Sequence, residues 1–264
     1  MGGQKGKKQP HRGRKKKGGV ISGIILVIAL VVFCVSGFNL LKYGKGYLAG
    51  RSEYRKIREL AVGGEEPGGG FFVNFDELLA VNPDTVGWIR FYPEPATINY
   101  PLVQGKDNDE YLHKTFSEGE NTLGAIFVAA ENRANLTDKN TIIYGHRMND
   151  HSMFYHLEDY MDQEFYKQNP YFYIYTPDGI EHTYRIYSIS VVDEFSDTYI
   201  TEFASKEKFQ QFINMTKETS LYDTGVEVST KDKIVTLSTC TSAGDSNRNV
   251  VRGVLEKETK IKGD

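Results

Sequence analysis

The hydrophobic pattern along the chain changes three times. From Val20 to Leu41 no charged residue occurs, and Ser22, Gly23, Ser36, Gly37 and Asn39 are the only dilution of an apolar run. As a helix, this run would reach roughly 33 Å, enough to cross a hydrocarbon layer of about 30 Å. From Gly50 to Ala61 the period becomes that of a short amphipathic helix, with Tyr54, Ile57, Leu60 and Ala61 on one side. Gly63 to Gly70 reads GGEEPGGG, a flexible break and the natural domain boundary. Asn74 followed by Glu77 has the spacing of a capping box ahead of Leu78 and Leu79.

From Val86 onward the period shortens to that of strands. Runs rich in β-branched and aromatic residues occur at Val86–Phe91, Thr97–Val103, Gly124–Ala129, Thr141–Tyr144, Tyr171–Thr176, His182–Val191, Lys233–Thr239 and Asn249–Lys257, punctuated by Gly, Asn, Asp and Pro. Eight strands with few helices predict a mainly β fold, a closed or nearly closed barrel that leaves no sheet edge. Helical stripes interrupt twice, at Ser152–Lys167 (Phe154, Leu157, Met161, Phe165) and Ser205–Ser220 (Phe209, Phe212, Ile213, Thr216). Both read as faces packed on the barrel. There is no internal repeat, and two glycosylation-type triplets, at Asn135 and Asn214, are short enough to arise by chance.

Charge sharpens the picture. Eight of the 32 basic residues lie in residues 1–17, where there is no acid, leaving 24 against 35 acidic residues for the rest, near −11. The basic run precedes the apolar one, and only Lys42 and Lys45 follow closely. The positive-inside rule therefore puts the N-terminus in the cytoplasm and the remainder outside, with an uncleaved single-pass anchor. A cleaved signal peptide is the alternative, but the run is long for one and no A-x-A-like site follows. The tail reads as a topology determinant that also touches membrane lipid. The acidic exterior argues against nucleic acid as a partner. The division is then a basic tail (1–19), an anchor (20–41), an N-terminal helix and linker (42–70) and an exported domain (71–264).

With that topology the two cysteines cannot pair: Cys34 lies in the apolar run and Cys240 far out in the exported part. An unpaired thiol outside the cell is either a buried small hydrophobe or a nucleophile. Cys240 ends a β-rich run, a polar stretch Thr241–Asn247 follows, and Arg248 opens the next strand. If the two strands pair, Cys240 and Arg248 flank one loop and face each other, and the seven-residue loop is long for a hairpin. Thr141 to His146 is a strand ending in histidine. Cys, His and Arg at strand ends can meet at one barrel rim. A thiolate attacks a carbonyl, an imidazole moves the proton, and a guanidinium stabilises the oxyanion. Arg252 is the rival to Arg248, on the same face about 13 Å further from the loop. His11, His113 and His182 are weaker candidates. The spacing of His146, His151 and His156 fits neither a helix face nor a zinc motif, so neither metal nor cofactor is expected.

At these residues the chain resembles a known family. Thr236-Leu237-Ser238-Thr239-Cys240 matches the T-L-S-T-C motif of sortases, and Thr141–His146 is similar to their histidine strand. The Met148–Phe154 segment resembles class B in particular. Asn82–Ile89, Tyr100–Gly105 and Tyr175–Gly179 extend the similarity, over roughly Phe72 to Glu256. The resemblance implies an eight-stranded sortase barrel and a membrane-anchored cysteine transpeptidase of Gram-positive bacteria. Such enzymes cut the C-terminal sorting signal of a surface protein after Thr and pass the acyl group to an amine, usually of a peptidoglycan cross-bridge. Carried over by motif, Cys240 is the nucleophile, His146 the general acid/base and Arg248 the oxyanion residue. Ser238 and Tyr144 would line the site, and Tyr199 and Ile200 would form a substrate wall. Polymerisation of pilins and plain hydrolysis are the alternative outcomes. A papain-like enzyme fits less well, because there Cys precedes His and opens a helix.

Overall fold

The computed structural model describes residues 18–64, 70–240 and 246–261, apart from the side chains at 18–21, 43 and 240. The basic tail, positions 65–69 of the glycine-rich segment and positions 241–245 of the expected loop lie outside the described residues. By its contacts the chain divides into two units, Met1–Lys45 and Gly46–Asp264.

The first unit carries most of helix α1, Gly18–Ala61. Its apolar part reaches a mean hydropathy of 2.8 with no residue of that window buried, and the helix is long enough to cross a bilayer. The apolar run and the amphipathic stretch, expected as two elements, fall within this one helix. Gly44, Gly46 and Gly50 weaken helical propensity there, but no proline intervenes to break it.

In the second unit, the last turns of α1 bury Tyr54, Ile57 and Ala61. The Tyr54 hydroxyl donates to the Gly124 carbonyl at 2.7 Å, and its ring meets Tyr100 edge-on. Gly50 allows the close approach, since a Cβ there would lie 2.8 Å from a Leu123 methyl. Two short strands, β1 (Val62–Gly63) and β2 (Phe72–Val73), pair and draw together the ends of the glycine-rich segment. Helix α2 (Phe75–Val81) is capped by Asn74, whose side chain accepts from Glu77 N.

The remaining strands are β3 (Thr85–Phe91), β4 (Asn99–Val103), β5 (Ile126–Val128), β6 (Asn140–His146), β7 (Tyr171–Thr176), β8 (Ile180–Asp193), β9 (Ile234–Cys240) and β10 (Asn247–Lys260). They close into a barrel in the order β10-β8-β7-β3-β4-β5-β6-β9. Each corresponds to one expected run. The β4–β5 and β6–β9 pairs are parallel and the others antiparallel.

Alternation along β9 assigns its two faces. Val235 and Leu237 join Ile143 and Val251 in the main core. Ile234 and Val254 turn the other way, into a second cluster with Phe209, Phe212 and Ile213. Those three lie on α4 (Lys206–Glu218), capped by Ser205, as its apolar stripe predicts. The stripe over Ser152–Lys167 is instead a 3-10 segment, Tyr155–Met161, followed by α3 (Gln163–Gln168). The break comes at Asp162, whose carboxylate accepts from Glu164 N at 2.9 Å and so begins a new helix.

Candidate active site

The face of β9 that looks outward from the barrel carries Thr236, Ser238 and Cys240. In the parallel pair with β6, Ile142 lies beside Thr236, Tyr144 beside Ser238 and His146 beside Cys240. His146 and Cys240 are thus paired neighbours at the ends of β6 and β9. On the other flank β10 pairs antiparallel, with Val250 opposite Ser238 and Arg252 opposite Thr236. The pairing ends at Val250 and Ser238, and Arg248 stands two residues further along β10. The Asn249 N–H also donates to Thr239 Oγ1 at 3.0 Å. Three strands thus deliver His146, Cys240 and Arg248 side by side.

His146 is oriented by the 3-10 turn Glu110–Leu112. Its Nε2 lies 2.7 Å from the Leu112 carbonyl oxygen. A carbonyl only accepts, so Nε2 carries the proton and Nδ1 is the nitrogen left to exchange one. Gly124, at φ +61°, permits this fit, because a Cβ there would come within 2.9 Å of the imidazole Cδ2. Burial holds the imidazole below its ordinary pKa, against the raising effect of the Leu112 bond.

Arg248 pairs through Nη2 with the Glu194 carboxylate, in the turn after β8, and through Nη1 with its neighbour's carbonyl at Asn247. Its side chain is 16% exposed. Arg252 is sealed: at 0% exposure it donates to Ser188, Ser190 and Thr198 hydroxyls. Tyr199, expected in a substrate wall, contacts two other expected site residues. The Tyr199 hydroxyl and Ser238 Oγ are 2.9 Å apart, and the Tyr199 ring stacks on Tyr144 at 6.0 Å between centroids. Ile200 follows, partly exposed at the rim. Among the described residues no cluster of metal-ligating side chains occurs.

Sequence reasoning missed Leu112, Gly124 and Glu194. A backbone carbonyl leaves no signal in the sequence. Glu194 becomes a partner of Arg248 only once β8 and β10 are known to pair with Val192 opposite Arg248.

Comparison with known proteins agrees with this arrangement. The chain matches the Sortase domain over residues 94–256. It is 38% identical over 183 residues to Sortase B of Listeria monocytogenes, covering 68% of this chain and 72% of that one. It is 31% identical over 258 residues to Sortase B of Staphylococcus aureus, covering 94% and 99%. A solved Bacillus anthracis protein similar to sortase B superposes with a TM-score of 0.69 at 32% identity, over 80% of this chain and 98% of that one. The chain belongs to the sortase family, whose members are cysteine transpeptidases. Within that family it falls in class B.

Proposed function

We propose that the protein is a membrane-anchored transpeptidase of the outer cell surface, with its N-terminus in the cytoplasm, that cuts the sorting signal of surface proteins after Thr and transfers them to a peptidoglycan amine. The strand register that brings His146, Cys240 and Arg248 to one rim is the observation that carries this reading. The uncharged run in α1 supports the anchor, and the basic tail before it supports the orientation.

In the reaction, the Cys240 thiolate attacks the Thr carbonyl carbon and a C–S bond forms. The Arg248 guanidinium, which keeps its charge, stabilises the oxyanion. His146 gives a proton to the departing amine as the C–N bond breaks, leaving a thioacyl enzyme. An incoming amine then attacks, His146 accepts its proton, and the thiolate leaves. Tyr144, Ser238, Tyr199 and Ile200 hold the peptide. One Sortase B structure is a substrate complex and another is complexed with Gly3, which supports peptide and amine as the two substrates here.

The test incubates the full chain in detergent with a library of sorting pentapeptides, with and without triglycine. Mass spectrometry should find a thioacyl adduct on Cys240 and a peptide–triglycine product. No adduct with any peptide would overturn the reading, and hydrolysed peptide alone despite excess triglycine would reduce it to a peptidase.

A further inference from the structure

Arg252 is a fully buried guanidinium that meets no carboxylate among the described residues. Its Nη1 donates to Ser190 Oγ at 2.6 Å and Ser188 Oγ at 3.0 Å, and its Nη2 donates to Thr198 Oγ1 at 2.9 Å. Its Nε has no hydrogen-bond partner among the described residues. Burying a cation among neutral groups is expensive, and an apolar side chain of similar volume is often at least as stable. A cation kept in such a place calls for a reason.

The partners supply one. Ser188 passes its own hydroxyl proton to the Thr216 carbonyl at 2.6 Å, in the last turn of α4. That end of a helix carries partial negative charge, which offsets the guanidinium through the serine. The other arm of Arg252 reaches Thr198, one residue before Tyr199. Asn140 grips the far end of the same short segment, donating to the Ile200 carbonyl at 2.8 Å while its Oδ1 accepts from Thr236 at 2.7 Å. Thr236 is the cross-strand partner of Arg252. The segment Thr198–Ile200 is thereby fastened to the barrel at both ends, and Tyr199 between them meets Ser238 and Tyr144.

We propose that Arg252 is a positioning residue of the peptide subsite: anchored against α4, it fixes the height and angle of the Tyr199–Ile200 wall above the strand that carries Cys240. The proposal rests on the reading of that wall as the place where the sorting peptide lies. Arg252 itself touches neither substrate nor reacting atoms. It acts through Thr198, and therefore on the peptide rather than on the thiol or the amine.

The experiment compares wild type, Thr198→Val and Arg252→Lys as full chains in detergent. Four quantities are read: kcat/KM for the peptide, kcat/KM for triglycine, the rate of Cys240 alkylation by iodoacetamide, and Tm. Thr198→Val removes only the wall's grip on the guanidinium, so it decides the matter if the Arg252 variant does not fold. Both folded variants should lose about five- to thirtyfold in kcat/KM for the peptide. The triglycine value and the alkylation rate should stay within about twofold of wild type, since neither depends on the wall. An unchanged peptide kcat/KM in Thr198→Val overturns the proposal. So does an equal fall in all three rates, which means general loosening. A wild-type enzyme that is alkylated at Cys240 but acylated by no peptide instead sinks the transpeptidase reading on which the proposal rests.

Discussion

Arg248 and Arg252 stand on the same strand, on the same face, four residues apart, yet their surroundings are opposite. Arg248 lies at the rim, with a carboxylate beside it and water within reach. Arg252 is enclosed, bonded to three hydroxyls and held below its ordinary pKa by burial. A partly exposed guanidinium at the rim remains within reach of a bound peptide. An enclosed one has its donors committed to the fold. The same side chain is suited to chemistry in one place and to architecture in the other, and the difference lies in burial and partner type rather than in residue identity.

The comparison can be broken by substitution. His146→Ala, which removes the proposed proton carrier, should lower peptide turnover by about 10²–10⁴-fold with the fold intact, as read by steady-state kinetics and circular dichroism. Arg248→Ala should cost about 10²–10³ in kcat while moving Tm little, and Arg248→Lys should recover little of it, because a point charge does not replace a planar fork. Arg252→Ala should show the reverse balance. Denaturant unfolding should register a loss of about 2–5 kcal/mol, from a cavity and three hydroxyls stripped of a donor. If Arg252→Ala is inactive but as stable as wild type, and Arg248→Ala is active, the two roles are exchanged. Glu194→Gln should be milder, with stability changing by about 1 kcal/mol, as for a partly exposed ion pair at the surface. Its kcat should fall less than that of Arg248→Ala, since the guanidinium is left in place.

The smallest effect concerns pH. Burial lowers the His146 pKa, so the folded protein favours the neutral ring. Stability from this term is complete above the unfolded histidine value of about 6.5 and is lost as pH falls through the lower folded value. His146→Asn, which does not titrate, should flatten the fall of Tm on the acid side. His182, lowered by its own burial, should keep part of the slope.

Most of the barrel was legible because its strands are runs rich in β-branched and aromatic residues, cut by Gly, Asn, Asp and Pro at the turns. The placing of His146, Cys240 and Arg248 at or near strand ends was also legible, from motif and from the run of β-rich residues. What sequence reasoning lost was non-local or carried by backbone. The Leu112 carbonyl that turns His146 belongs to a residue whose side chain has no part in the contact. The hydroxyls around Arg252 come from β8 and from the turn after it, more than fifty positions away. The helix expected over Ser152–Lys167 failed for a local reason: Asp162 satisfies a backbone N–H better as a cap than as a mid-helix residue.

β9 has β6 on one side and β10 on the other, and each neighbour brings one partner for Cys240. The proposed catalytic residues therefore lie on three strands that meet at β9, not on any single hairpin. A slip of one residue at that seam would part Cys240 from its paired neighbour His146. On the proposed chemistry, thioacylation is thus a gauge of barrel closure. During refolding it should return only when β9 has docked on both sides, later than any signal that reports strand content alone.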